Sequence, residues 1–156
     1  MRVVVDTNVF INGIFKEDSF SKAVFSLKYL NKISFVMNQK MQNELLITFG
    51  NILLEALRKK SKKTGKMEEI NLFPFMATLS KCLWQVEEID HIINTNYIID
   101  DPSDNKFIDC CIDGNVKYLI TQDQHINSVS QTLKKEYDIN VLSPMQFYTL
   151  YKSNKL

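Results

Sequence analysis

Apolar positions along this chain fall into short β-branched runs that alternate with helical stripes. Val3-Val4-Val5 is closed abruptly by Asp6, which reads as a strand buried on both faces with a carboxylate at its C-terminal end. Asn8 to Phe15 then predicts a short helix containing Gly13. Ser19 to Leu30 predicts a second, with Phe20, Val24 and Leu27 on one face and Ser19 as its N-cap. Ile33 to Met37 reads as the second strand. From Asn38 onward Met41, Leu45 and Phe49 repeat every four residues, a helix that Gly50 is expected to close.

The next segment, Asn51 to Lys66, begins apolar and helical and ends in a basic run from Arg58 to Lys66. A helix over Glu68 to Lys81 and a short strand over Leu83 to Val86 follow. Residues 87 to 100 carry no clear period and read as loop or as a broken helix bearing His91. Asp101-Pro102 then supplies an N-cap and a proline at the first helical position, and Phe107, Ile108, Cys111 and Ile112 form the buried stripe of a helix ended by Gly114. Val116 to Thr121 is a strand running into Gln122-Asp123. Ile139 to Leu142 is the last one, before Ser143-Pro144 and a C-terminal helix. Strand and helix alternate without repeat or linker, so one α/β domain over residues 1–156 with a mostly parallel sheet of four to five strands is expected.

Composition narrows the class more than the activity. A length of 156 residues suits one domain, and a net charge of +1 argues neither for nor against nucleic acid, because a basic patch can sit on a neutral whole. Three cysteines, Cys82, Cys110 and Cys111, two of them adjacent, make a poor disulfide framework and point to a reducing, cytoplasmic setting. Asp6 breaks the apolar start, and no run approaches the roughly 18 apolar residues of a membrane span, so neither signal peptide nor membrane association is expected. Four glycines without a G-x-G-x-x-G or P-loop pattern turn away from nucleotide-binding enzymes. His91 and His125 have no partner at zinc-ligand spacing. Cys110, Cys111, Trp84 and the spaced Phe and Tyr residues read as packing.

The candidate chemistry is acidic. If the strands ending near Asp6 and Asp123 are central and parallel, their carboxylates converge on the edge of the sheet where ligands of such folds bind. Asp104, in the first turn of a helix that begins at the same edge, can join them. Glu44 borders the Met41/Leu45/Phe49 stripe and can point there too. Four carboxylates within a few ångströms raise each other's pKa, and a divalent cation removes that conflict. Oxygen-only ligands select Mg²⁺ or Mn²⁺ over Zn²⁺, and such ions activate water for in-line attack on a phosphodiester.

Val3-Val4-Val5-Asp6-Thr7-Asn8, Glu44 on the helix after the second strand, Asp101-Pro102-Ser103-Asp104-Asn105-Lys106-Phe107 and Tyr118-Leu119-Ile120-Thr121-Gln122-Asp123 together resemble the PIN-domain nucleases, in particular the VapC-like toxin components of toxin–antitoxin pairs. The similarity spans about residues 1 to 145. It implies a three-layer α/β/α sandwich, Mg²⁺- or Mn²⁺-dependent endoribonuclease activity on RNA, frequent homodimers and inhibition by a cognate antitoxin. By position, Asp6, Glu44, Asp104 and Asp123 match the family's metal-holding acids. Asn8 matches a polar residue that orders the site or its water, and Thr121 the hydroxyl residue before the last acid. Cys110 and Cys111 depart from the small residues usual in that helix.

Each acid also has a bland role. Asp6 can cap a helix, Asp104 can favour a helix dipole or complete a cap with Asp101, Glu44 can be solvated and Asp123 can make a turn. The basic run is either a solvated helix end or a grip on a phosphate backbone. Competing functions are an RNA-processing nuclease that is not a toxin, a non-catalytic module of the same fold, and an aspartyl-phosphate phosphatase. The last is disfavoured by Asn8, where that chemistry wants a second acid.

Overall fold

The computed structural model describes residues 1–16, 18–64 and 73–156, except for the side chains of 60–64, 74, 75, 78 and 82. In chain order the elements are β1 (Arg2–Val5), α1 (Thr7–Phe15), α2 (Ser19–Tyr29), β2 (Ser34–Asn38), α3 (Gln39–Thr64), α4 (Phe73–Leu83) and β3 (Glu87–Ile89). A 3-10 turn (Pro102–Asp104), α5 (Asn105–Asp113), β4 (Tyr118–Ile120), α6 (Gln124–Ser128), α7 (Ser130–Tyr137), β5 (Asn140–Leu142) and α8 (Pro144–Lys152) complete the chain.

The sheet runs β3-β2-β1-β4-β5, and all four neighbouring pairs are parallel. Val3, Val4 and Val5 are all buried, as a strand covered on both faces requires. α5 packs across β1, β2 and β4, while α2 packs against α1 and α8, so the sheet is the middle of three layers. Phe10, Phe25 and Phe35 meet edge-to-face with ring centroids 5.0–5.4 Å apart and clamp α1 and α2 onto β2. Gly13 allows that approach: a Cβ there would lie 3.0 Å from the Phe25 ring and 3.2 Å from the Ser21 backbone. No described helix is long and apolar enough to cross a membrane.

Several sequence expectations are corrected. Gly50 does not close its helix; α3 runs straight through it to Thr64, because the stripe that buries Met41, Leu45 and Phe49 holds the turn and glycine only weakens it. Asp18 rather than Ser19 caps α2, accepting a hydrogen bond from the Phe20 N–H at 3.2 Å. The third strand is Glu87–Ile89, not Leu83 to Val86: α4 persists to Leu83, and Gln85 turns the chain at φ 53°. Trp84, in that turn, is 68% exposed and not core. Residues 124–137 form α6 and α7, which no apolar stripe announced. The basic run rides on α3 through Thr64; its side chains from position 60 and residues 65–66 lie outside the described residues, as do residues 68–72 of the helix expected over Glu68 to Lys81.

A Cβ at Gly50 would meet nothing within 4 Å. Gly50→Ala therefore removes backbone entropy from the unfolded chain without a clash and should stabilise the protein by about 0.5–1 kcal/mol in urea denaturation.

Candidate functional site

Strand order reverses between β1 and β4, and the candidate acids gather at the C-terminal edge of that switch point. The β1–β4 ladder extends past the strands: the Asp6 N–H donates to the Ile120 carbonyl at 3.0 Å. This places Asp6, 2% exposed, beside Thr121, which is fully buried. The Thr121 hydroxyl donates to Asp6 Oδ2 at 2.6 Å and accepts from the Asp123 N–H at 2.9 Å, so one side chain ties both strand ends together. Asp6 Oδ1 caps α1 by accepting the Asn8 N–H at 2.9 Å. The Asn8 side chain is exposed; the donor to Asp6 is the Asn8 backbone. Asp123 caps α6, its Oδ1 accepting the His125 N–H at 2.7 Å.

The other two acids come from helix starts at the same edge. Asn38, buried at the end of β2, accepts the Met41 N–H at 3.0 Å and so caps α3; its amide donates to the Lys106 carbonyl at 3.1 Å, holding α5 beside α3. That join brings Glu44 of α3 into a salt bridge with the Lys106 ammonium. The same ammonium lies 3.7 Å from Asp104, donates to the Ser103 carbonyl at 2.8 Å and sits 4.4 Å from the centre of the Phe107 ring. Asp101, not Asp104, caps the 3-10 turn, accepting from the Ser103 N–H and hydroxyl. Asp104 makes no capping bond.

Electrostatics ties the four carboxylates into one group. Burial pushes the Asp6 carboxyl above the ordinary range; the Thr121 hydroxyl and the Asn8 N–H pull it back, and the charges of Glu44 and Asp123 push it up again. Asp104 is pushed up to about 6, chiefly by burial, with Lys106 opposing and Asp101, Asp123 and Asp6 adding to the rise. Oxygen donors suit a hard divalent cation such as Mg²⁺ or Mn²⁺. As arranged, no three His, Cys, Asp or Glu side chains among the described residues stand close enough to share an ion. Lys106 already spans Glu44 and Asp104, and Asp123 Oδ1 is engaged by α6.

The sequence reading missed Lys106 and Asn38. A lysine one residue into a helix opposes the macrodipole, so its presence at the start of α5 signals anions nearby. Asn38 gave no signal beyond ending an apolar run. Cys110 and Cys111 are buried and unpaired, with the Cys110 thiol pushed up to about 12 by burial, in keeping with packing. His91 is not isolated: it lies 3.8 Å from Asp113.

An all-parallel sheet in the middle of three layers, with carboxylates near its switch point, defines the class as an α/β/α fold. The sequence matches the family model of the PIN domain over residues 2–125, and the chain belongs to that family, whose members are nucleases. Among solved structures it is similar to a chain of VapBC2 from Rickettsia felis bound to a DNA fragment from their promoter. The identity is 16% over 92% of this chain and 98% of that one, with a TM-score of 0.49. No curated protein sequence matches.

Two variants probe this geometry. Thr121→Val strips the hydroxyl from a buried carboxylate and should lower stability by about 1–3 kcal/mol. Asp104 has its carboxyl raised in the fold, so its stabilising contribution is complete below the unfolded value near 3.8 and is lost as pH rises through about 6. Asp104→Asn escapes that loss. Without added metal it should be more stable than wild type by roughly 1–2 kcal/mol at pH 7.5, after allowance for solvent screening, with the gap shrinking toward pH 5 in urea melts.

Proposed function

We propose that this chain is a metal-dependent endoribonuclease that hydrolyses RNA phosphodiester bonds, acting in the cytoplasm as the toxin of a toxin–antitoxin pair. The observation that carries the reading is the gathering of Asp6, Glu44, Asp104 and Asp123 at one sheet edge, where each of Asp6 and Asp104 feels the charge of other members. Family membership supplies the nuclease chemistry. These four side chains, not close enough as arranged to share an ion, would draw together to hold Mg²⁺ or Mn²⁺, which would supply a lowered water pKa and charge stabilisation at the leaving oxygen.

The protein's own groups have distinct tasks. Asp6 is the fixed member, immobilised by Thr121 and the Asn8 N–H. Lys106 contacts both Glu44 and Asp104 and aims them together, as a positioning residue. Asn8, exposed beside Asp6, orders the attacking water. Leu54 on α3 and Phe73 and Met76 on α4 are at least half exposed and provide apolar surface of the kind a homodimer or antitoxin contact buries.

Asp6→Asn should abolish cleavage of a labelled single-stranded RNA with an unchanged circular dichroism spectrum, and excess chelator should do the same reversibly. Full activity in either condition would end the proposal. Growth arrest on expression, relieved by the product of an abutting gene and absent for Asp6→Asn, separates a toxin from an RNA-processing nuclease.

A further inference from the structure

An open groove with a volume of about 530 Å³ adjoins the acids, sharing Glu44 and Lys106 with them. Its size falls within the range of pockets that enclose small organic ligands. Ile47 and Pro102 give it apolar surface, and Lys40, Asn43 and Asn94 line it with polar groups.

One wall is the connection between β3 and the 3-10 turn, which has no regular structure of its own yet is firmly held. The Ile92 N–H donates to Asp113 at 2.9 Å, the Thr95 N–H to Asp109 at 2.8 Å and the Ile98 N–H to Asn105 Oδ1 at 3.0 Å. Asn94 is oriented by two neighbours: its Oδ1 lies 3.0 Å from Lys40 Nζ and 3.0 Å from His91 Nε2. Asn43 Oδ1 accepts from Gln39 at 3.2 Å. Both amide oxygens are therefore engaged, while neither Nδ2 has a protein partner among the described residues.

Two exposed amide donors lining the groove together with the apolar surface of Ile47 and Pro102 match a flat heterocycle with acceptors on its edge. A second phosphate fits worse. Lys106 is committed to Glu44 and Asp104, Lys40 is bound to Asn94, and Glu44 and Asp109 add negative potential to the lining.

Resting on the reading of the acids as a phosphodiester-cleaving site, we infer that this groove is a base subsite. It seats one unstacked nucleobase of single-stranded RNA beside the scissile phosphate, and Asn43 and Asn94 set the preference for that base. Neither asparagine belongs to the acidic machinery, so the subsite can be removed without touching the chemistry.

The test scans an abasic nucleotide along a fluorescein-labelled RNA octamer and measures anisotropy in chelator, for wild type and for the Asn43→Ala/Asn94→Ala double variant. Wild type should lose binding about tenfold at one position, the double variant should show no such position, and both should hydrolyse bis(4-nitrophenyl) phosphate equally with Mn²⁺. Equal binding of all abasic octamers by wild type, or the same dependence retained in the variant, overturns the subsite. A wild type that turns over neither RNA nor the small diester defeats the nuclease reading instead, while the binding scan still decides the groove.

Discussion

The pairing of β1 with β4 is the constraint on which the sheet edge depends. Two parallel strands far apart in sequence lie side by side, and their ladder continues one residue beyond β1 through the Asp6 N–H and the Ile120 carbonyl. That last rung fixes a carboxylate and a hydroxyl at adjoining strand ends. Thr121 then serves both neighbours, donating to Asp6 and accepting from the Asp123 backbone. A slip of one residue would turn Thr121 to the other face and leave a buried carboxylate without its strongest partner.

Gathering like charges works against folding, and the structure shows how the conflict is contained. Asp6 is held by two donors, Asp123 by the start of α6, and Glu44 by Lys106. The ammonium is nearly buried, which is tolerable because two carboxylates, the Ser103 carbonyl and the face of Phe107 surround it. Asn38 sets the distance between α3 and α5 at which this bridge can form. The core residues Met41, Leu45, Phe107 and Ile108 thus act at a distance: they seat the two helices near whose N-terminal ends the charges lie.

Local pattern made much of this legible. The triple valine, read as a strand buried on both faces, and the 3.6-residue stripes of α3 and α5 follow from local pattern. What stayed hidden depends on tertiary partners. Gly50 looked like a stop because the packing that carries α3 through it is not local. The connection around residues 90–98 has no period because its backbone N–H groups at Ile92, Thr95 and Ile98 donate to side chains of α5. Trp84 looked like core because an aromatic residue carries no mark of the turn it stands in.

The bland and chemical readings of the acids turn out to be compatible for some and opposed for one. Asp6 and Asp123 each spend one oxygen on a helix cap, which aims the carboxylate without using it up. Asp104 is different. The capping bonds at its turn belong to Asp101, and its carboxyl is raised by burial and by its acidic neighbours, with Lys106 working in its favour. A carboxylate that makes no capping bond and is raised by burial is left with the Lys106 ammonium and the start of α5 to favour its charge. Such local inconsistency is expected at functional sites rather than in scaffolding. Asp104, the acid whose sequence context looked most like ordinary capping, is the one whose turn takes its capping bonds from a neighbour, Asp101.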